Sequence, residues 1–253
     1  MWWRKKKGIK SKKNIHENEN QTPPPPIDSG VSLTTADGTA PTSWCSVETW
    51  TVSETGNENS PITADELLDE RHHHYYGRPW ILGYYYAEQL FRHGLKKTDK
   101  VLDVGCGSGR VALHIIPYLD ANCYYGIDSH LRSLYALGAY EAPLHQLGKK
   151  SPKLMWDAEF NIAAFNQTFD VVLDFYVTHH VPLPLVRQAY ENISKHTRPG
   201  ARIFSAHKPV IGIEAMEDLG FYLKEDFKVS YPLISMSARS IQKEDHWHVL
   251  ERF

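Results

Sequence analysis

Four side chains that can move a proton lie close to one another in the second half of the chain. Asp174 ends one apolar run, His179 and His180 follow it closely, and His207 comes after the next apolar run. Both runs are predicted to be buried parallel β-strands, because such strands read as continuous apolar segments. Ligands of open α/β sheets bind at the carboxyl ends of the strands, so the four side chains are predicted to share one ligand-binding edge. Histidine titrates near neutral pH, and the predicted chemistry is general-base catalysis.

A second stretch, residues 101–110, has the composition of a ligand-binding turn. An apolar run carries an acid near its end, and three glycines follow at alternate positions before an apolar helical pattern begins. Glycine has no Cβ atom, so a ligand can lie directly against such a turn. The helix that follows presents unpaired N–H groups to that ligand. The residues of this glycine-rich turn are Asp103, Gly105, Cys106, Gly107 and Gly109.

The order Asp-x-Gly-x-Gly-x-Gly resembles the first motif of class I S-adenosylmethionine-dependent methyltransferases. A dinucleotide-binding turn would instead space its glycines as G-x-G-x-x-G. The resemblance implies an α/β fold with a doubly wound, mostly parallel, seven-stranded, Rossmann-like sheet. It also implies S-adenosyl-L-methionine as the cofactor and methyl transfer as the reaction. A glycine-rich turn without a ligand is the alternative interpretation.

The resemblance also assigns roles to residues at the ends of later strands. Asp128 ends the second predicted strand, where an acid accepts hydrogen bonds from ribose hydroxyls in nucleotide-binding folds. Capping of the next helix, by Asp128 or by Ser129, is the alternative. Later strand ends match the places where the family contacts the adenine amino group and the methionine part of the cofactor. Beyond the glycine-rich turn, the predicted cofactor-binding residues are Asp128, Ser129, Asp157, Ala158, Asp174 and Phe175.

The chain is predicted to consist of a tail, residues 1–61, and one methyltransferase domain, residues 62–253. The tail is rich in Asn, Ser, Thr, Gly and Pro, and it is predicted to be mobile because it can bury little apolar surface. In the domain, strands alternate with helices, and residues 232–243 are predicted to form a loop. The seven predicted strands are Val101–Val104, Cys123–Asp128, Lys153–Trp156, Phe169–Asp174, Ala201–Ala206, Tyr222–Tyr231 and His246–Phe253.

Charge is distributed unevenly along the chain. Seven of the first thirteen residues are basic and none is acidic, whereas the rest of the chain has 21 basic and 30 acidic residues. Nucleic-acid binding depends on neutralising phosphates, so the acidic body argues against a nucleic-acid partner. The basic tail, with Trp2 and Trp3 beside it, is typical of a peripheral membrane contact, a nuclear-type address or a solvated segment.

The predicted location is cytoplasmic. If the basic tail is a peripheral membrane contact, the protein would also associate with a membrane through residues 1–13. The three cysteines do not form the pattern of a disulfide framework. No segment reads as a signal peptide or as a membrane span.

The predicted acceptor is a hydroxyl group of a small molecule or a sugar, so that the reaction is an O-methylation. No Asn/Asp-Pro-Pro-aromatic motif follows the fourth strand, which disfavours methylation of base or amide nitrogen. His180 is the preferred base, and Tyr75 and Tyr76 are predicted to line the acceptor pocket. The alternatives are N-methylation of a small molecule or a protein, and a non-catalytic module that binds S-adenosylmethionine and acts through partners.

No metal site is predicted. Three consecutive histidines, residues 72–74, point about 100° apart on a helix, and none lies four residues from another. The metal-dependent catechol-type methyltransferases place an Asp-Asn pair after the fifth strand. This chain has Ala206-His207-Lys208 there.

Overall fold

The strands of the protein form one mixed sheet. The structure, a computed structural model, describes residues 32–35, 64–70, 72–73, 79–234 and 240–253. The strand order in these residues is β1-β4-β3-β2-β5-β6-β8-β7, with β1 to β6 parallel and β8 antiparallel to both of its neighbours. The strands are β1 Ser32–Thr35, β2 Val101–Val104, β3 Tyr124–Asp128, β4 Lys153–Trp156, β5 Phe169–Asp174, β6 Thr197–Ser205, β7 Phe221–Ile234 and β8 Ser240–Arg252.

Helices cover both faces of the sheet. The α-helices in the described residues are Ala64–Leu68, Tyr84–Arg92, Ala112–Ile115, Leu131–Tyr135, Ala142–Leu144, Leu183–Lys195 and Ile213–Asp218. A π-helical turn, Ala136–Glu141, separates the short α-helices Leu131–Tyr135 and Ala142–Leu144. No helix in the described part of the chain combines the length and the apolar character needed to span a bilayer.

The core lies in two layers, one on each side of the sheet. Val101 and Leu173 pack into one hydrophobic cluster, whereas their neighbours Leu102 and Val172 pack into the other. All four side chains are fully buried. Successive side chains of a strand point to opposite faces, so a strand that is apolar throughout must be covered on both sides. The continuous apolar runs of β2 and β5 follow from this arrangement, and the predicted doubly wound sheet is confirmed.

Two segments differ from the prediction. Ser32–Thr35, inside the predicted tail, forms an eighth strand that pairs in parallel with β4. Residues 232–234 and 240–243, predicted to be loop, extend the β7–β8 hairpin, in which Pro232 lies opposite Gln242. The loop prediction was wrong at these ends because hairpin pairing satisfies the backbone groups of both segments, and an edge strand tolerates proline. The tail and domain boundary at residue 61 otherwise stays a prediction.

Removal of β1 is expected to lower the melting temperature by about 2–4 °C, since the main-chain bonds of a four-residue edge strand contribute on the order of 1 kcal/mol. Two truncated chains, beginning at Gly30 and at Ala36, differ only by this strand and the two residues before it. Thermal unfolding of both, followed by circular dichroism, measures the difference. Equal melting temperatures would contradict the pairing of β1 with β4.

Candidate active site

A cleft opens at the carboxyl ends of the central strands. The chain runs outward from β2 through β3 to β4 and then returns to place β5 on the other side of β2. Ligands of open α/β sheets bind at such a reversal of strand order. The cleft there has a volume of about 570 Å³, which is within the range of pockets that enclose a cofactor-sized molecule. Segments that follow β2, β3, β4 and β5 line it.

The glycine-rich turn forms the floor of this cleft. Its three glycines have positive φ angles, 67° at Gly105, 56° at Gly107 and 98° at Gly109. A Cβ atom at Gly105 would lie 2.2 Å from Cγ2 of Val177, and a Cβ atom at Gly109 would lie 2.7 Å from Cδ1 of Leu137. Glycine is therefore required at both positions by backbone angle and by space. The predicted strand, turn and helix are present at this place.

Two polar side chains of the turn, Asp103 and Cys106, are buried and have raised pKa values. The hydroxyl of Tyr124 donates a hydrogen bond of 2.7 Å to the Asp103 carboxyl. Burial raises the pKa of Asp103 to about 7, although this hydrogen bond acts in the opposite direction. Burial, followed by the charges of Asp128 and Asp103, also raises the pKa of the Cys106 thiol. Both side chains line the cleft, where they define its shape and polarity.

The Asp128 carboxylate ties the end of β3 to the glycine-rich turn. Its Oδ2 accepts a hydrogen bond of 2.7 Å from the Gly107 amide, and its Oδ1 accepts one of 2.7 Å from the His130 amide. The second bond closes the turn before the helix Leu131–Tyr135. It does not cap that helix, whose N-cap residue is His130 and whose first turn has no side-chain capping hydrogen bond, so the capping alternative for Asp128 and Ser129 was wrong. A carboxylate has about four acceptor positions, so these two bonds are compatible with donation from ribose hydroxyls as well.

Replacement of Asp128 by asparagine is expected to weaken binding of S-adenosylmethionine about 10- to 100-fold. The amide has one acceptor oxygen instead of two, so a bond to the turn or to the following helix is lost, at a cost of about 1–3 kcal/mol. Calorimetric titration measures the affinity. Asp120, in the loop after the helix Ala112–Ile115 and exposed, provides a matched control by Asp120→Asn. Equal losses in both variants would contradict a specific role for Asp128.

Residues after β4 form another wall of the cleft. Asp157 and Ala158 line it together with Ser129. The Asp157 carboxylate accepts hydrogen bonds from the Glu159 amide at 3.0 Å and from the Asn161 amide at 2.9 Å. Asp157 therefore shapes its own turn, and its contact with the adenine group stays a prediction.

Three histidine rings meet at the carboxyl ends of β5 and β6. The His179 ring centroid lies 3.6 Å from that of His180 and 4.8 Å from that of His207. His180 lines the cleft. Partial desolvation and the neighbouring histidines lower the pKa of His179. The structure thus places these three predicted residues together, and only His180 among them contributes directly to the cleft wall.

Asp174 lies behind the histidines. Its carboxylate is completely buried and accepts hydrogen bonds of 2.6 Å from the hydroxyls of Thr178 and Tyr190. Burial opposes ionisation, but the contact with His207 and these hydrogen bonds outweigh it and lower the pKa of Asp174. Burial likewise opposes protonation of His207, and its contact with Asp174, 3.5 Å between Nε2 and Oδ1, raises its pKa. Asp174 is not one of the described residues that line the cleft.

Comparison with known proteins agrees with this geometry. Residues 102–203, from β2 into β6, match a family model described as a methyltransferase domain. This segment is therefore similar to a methyltransferase domain. The protein described as probable methyltransferase ltbC, from Aspergillus luteorubrus, is 30% identical over 113 residues, and the match covers 42% of this chain. The chain spans 39% of the length of that curated relative.

Solved structures share the fold of the methyltransferase domain. A structure from work on the conversion of a disulfide bond into a thioacetal group during echinomycin biosynthesis matches with a TM-score of 0.52 at 18% identity, covering 66% of this chain and 80% of the other. The magnesium protoporphyrin IX methyltransferase of Synechocystis PCC 6803, solved with bound S-adenosylmethionine, matches with a TM-score of 0.51 at 14% identity, covering 68% and 81%. These similarities show the Rossmann-like fold.

Sequence reasoning missed one group beside the methyltransferase cleft. Asp245, buried on β8, accepts hydrogen bonds from the hydroxyls of Tyr86, Tyr176 and Tyr231. Tyr176 lines the cleft and has a φ of 64°, which is rare for a residue other than glycine. The three tyrosines are distant in the sequence, so no spacing indicated that they meet. The one sequence signal near this group is the polar stretch Glu244-Asp245-His246, which precedes the more apolar end of β8.

Several predicted features lie outside the described residues. They are the proposed acceptor-pocket residues Tyr75 and Tyr76 and the basic segment of residues 1–13. Phe175 lies in the cleft wall beside Tyr176. The roles of the individual side chains in binding and catalysis stay predictions.

Proposed function

We propose that this chain transfers a methyl group from S-adenosylmethionine to a hydroxyl group of a small molecule or a sugar. The observation that carries the proposal is the position of His180 in the wall of the same cleft as the glycine-rich turn. A nucleophile that sits beside His180 therefore also sits beside whatever the turn binds. The cleft has the size and the wall residues that the cofactor requires.

S-adenosylmethionine, when bound, supplies an electrophilic methyl group on a sulfonium centre. The chain supplies position and proton transfer. Alignment of an acceptor with a bound methyl group accounts for roughly 7–11 kcal/mol of barrier reduction. A hydroxyl acceptor must also lose its proton, and a placed base contributes about 10²- to 10⁴-fold.

The three rings of the histidine cluster differ in pKa and in position relative to the cleft. His207 is held by Asp174 and has a raised pKa, so it retains its proton to higher pH than an ordinary histidine. The lowered pKa of His179 keeps that ring neutral near neutral pH. His180 is the ring in the cleft wall and is positioned to accept the proton of the acceptor.

The acceptor class follows from charge and from the cleft walls. The body of the chain is acidic, which disfavours polyanionic acceptors such as RNA and DNA. Apolar and aromatic side chains, among them Phe160, Phe175, Tyr176 and Leu185, line the cleft. This combination favours a neutral, partly apolar hydroxyl compound.

A transfer assay with methyl-labelled S-adenosylmethionine and fractionated small-molecule extract tests the proposal. The expected result is label in a product that is stable to the mild base that cleaves methyl esters, as an ether is. A chain carrying Gly105→Ala serves as the control with weakened cofactor binding. Label on an amine would favour the N-methyltransferase alternative. Cofactor binding without transfer to any fraction would favour the non-catalytic module.

A further inference from the structure

Three buried ligand-type side chains converge outside the cleft. His72 and His73 belong to the segment before the first long helix, and Glu141 ends the π-helical turn Ala136–Glu141. All three are almost completely buried. The Nε2 atoms of His72 and His73 lie 2.6 Å and 2.8 Å from Oε1 of Glu141. Three side chains from two distant segments thus place their ligand atoms within 4.8 Å of one another.

A fourth ligand-type side chain stands at the edge of this group. Nε2 of His145 lies 3.1 Å from Oε2 of Glu141, and the side chain of His145 is 31% exposed. Glu141 and His145 are four residues apart and therefore lie on the same side of their helical segment. The expectation that the histidine run alone makes no metal site took no account of these partners. The fold brings a carboxylate and a third imidazole to two of the three histidines.

Hydrogen bonding accounts for only part of this arrangement. His72 has hydrogen-bond geometry toward Glu141. By contrast, Nε2 of His73 and Oε2 of Glu141 are buried atoms with no hydrogen-bond partner among the described residues, although each has a close polar neighbour. Buried polar groups without a partner are costly, and they call for an explanation. One cation between the four side chains would satisfy them together.

We propose that His72, His73 and Glu141 bind a divalent transition-metal ion of the Zn²⁺ type, with His145 in the fourth position. Imidazole and carboxylate are ligands that Zn²⁺ prefers, and closed four-ligand sites are structural rather than catalytic. In a tetrahedral site with bonds of about 2.0–2.1 Å, ligand atoms lie roughly 3.3 Å apart. The contacts of His72, His73 and His145 with Glu141, at 2.6, 2.8 and 3.1 Å, would open by about 0.2–0.7 Å to reach this spacing. His145 contacts the other carboxylate oxygen and lies outside the group of three whose ligand atoms are within 4.8 Å of one another, so its ring would move toward the ion.

The proposed metal site is linked to the glycine-rich turn of the cleft. The Ser108 hydroxyl, in the glycine-rich turn, donates a hydrogen bond of 3.1 Å to the backbone carbonyl of His72. The ion would therefore fasten the segment of His72 and His73 to the helical segment of Glu141, directly behind the cofactor-binding turn. An ion that orders the turn through this hydrogen bond is expected to strengthen cofactor binding, and the cofactor would then strengthen ion binding by the same factor.

Calorimetric titration of the chelator-stripped full chain with Zn²⁺ tests the proposal. The expected result is one ion per chain, with affinity lowered at least about 100-fold in His73→Gln and about 10-fold in His145→Gln, the partly exposed ligand. The matched control is His196→Gln, since Nδ1 of His196 lies 2.8 Å from the Asn192 carbonyl, away from the cluster. Titration with Co²⁺ provides a second readout, in which the visible absorption of a tetrahedral site appears in the wild type and in His196→Gln.

Two results would overturn the proposal. One is absence of stoichiometric Zn²⁺ binding by the folded wild type, which would leave Glu141 as a carboxylate with histidine neighbours alone. The other is binding that survives His73→Gln and is lost in His248→Gln, since Asp226, His246 and His248 form another set of ligand-type side chains on the β7–β8 hairpin. Because Zn²⁺ binding is measured without any acceptor, failure of the proposed methyl transfer leaves this test intact.

Discussion

Replacement of His180 by alanine is expected to lower kcat by about 10²-fold or more, while the affinity for S-adenosylmethionine is retained. The reason is that His180 is the one ring of the histidine cluster in the cleft wall, and removal of a general base costs about 10²- to 10⁴-fold. Single-turnover kinetics with a hydroxyl acceptor measure the chemical step, and calorimetry measures cofactor affinity. His179→Ala is the matched control, because its ring stacks on His180 outside the wall and its loss is expected to cost less.

The pH dependence separates the three histidines. A general base works in its neutral form, so log kcat/KM rises with pH and levels off above the pKa of the base. The pKa of His207 is raised and that of His179 is lowered. A rise displaced to higher pH would assign the base to His207, and a rise displaced to lower pH would assign it to His179. If His180→Ala and His179→Ala both retain nearly full kcat, base catalysis by these rings is contradicted, and an amine or thiol acceptor takes the place of the hydroxyl.

Replacement of Gly105 by alanine is expected to weaken cofactor binding by about 100-fold. The new Cβ atom would lie 2.2 Å from Cγ2 of Val177, so the turn must move away from the cleft wall. A misplacement of about 1 Å in an active site can cost about 10²-fold in rate, and a loss of similar size is expected here for affinity. Calorimetric titration with S-adenosylmethionine measures the loss.

Gly200 provides a matched control for this prediction. It also has a positive φ, 78°, but an added Cβ atom would meet nothing within 4 Å. Gly200→Ala therefore introduces the same kind of backbone strain without a steric clash, and cofactor affinity is expected to be unchanged. Similar losses in the two variants would mean that backbone strain alone is responsible, and the close packing of the turn on Val177 would not explain the requirement for glycine.

The central part of the fold could be predicted from the sequence because its signals are local. β2 and β5 are mostly apolar, and their observed bounds are the predicted ones. The glycine-rich turn combines a strand, three glycines and a helix within a few residues, so its position needed no knowledge of tertiary structure. Strand-end residues such as Asp128 then followed from the order of the strands.

The remaining features depend on contacts between distant segments. β1 is four residues long in a polar segment, and only its pairing with β4 makes it a strand. The burial of Asp174 and its hydrogen bonds to Thr178 and Tyr190 could not be inferred. They form only when the helix Leu183–Lys195, which carries Tyr190, packs on the sheet. Likewise, the contact of Glu141 with His72 joins residues 69 positions apart. Periodicity and spacing carry no information about such pairs.

The hydrogen bonds of Asp245 have a consequence for synthesis of the protein on the ribosome. Tyr86 and Tyr176 precede their shared acceptor in the chain, because Asp245 lies on β8, the last of the described strands. Domains begin to fold during translation, so β2 to β5 can form a nascent sheet before residue 245 is available. The wall of the cleft at Tyr176 reaches its final conformation only after β8 has left the exit tunnel. A growing chain thus passes through a stage with an assembled glycine-rich turn and an incomplete active site.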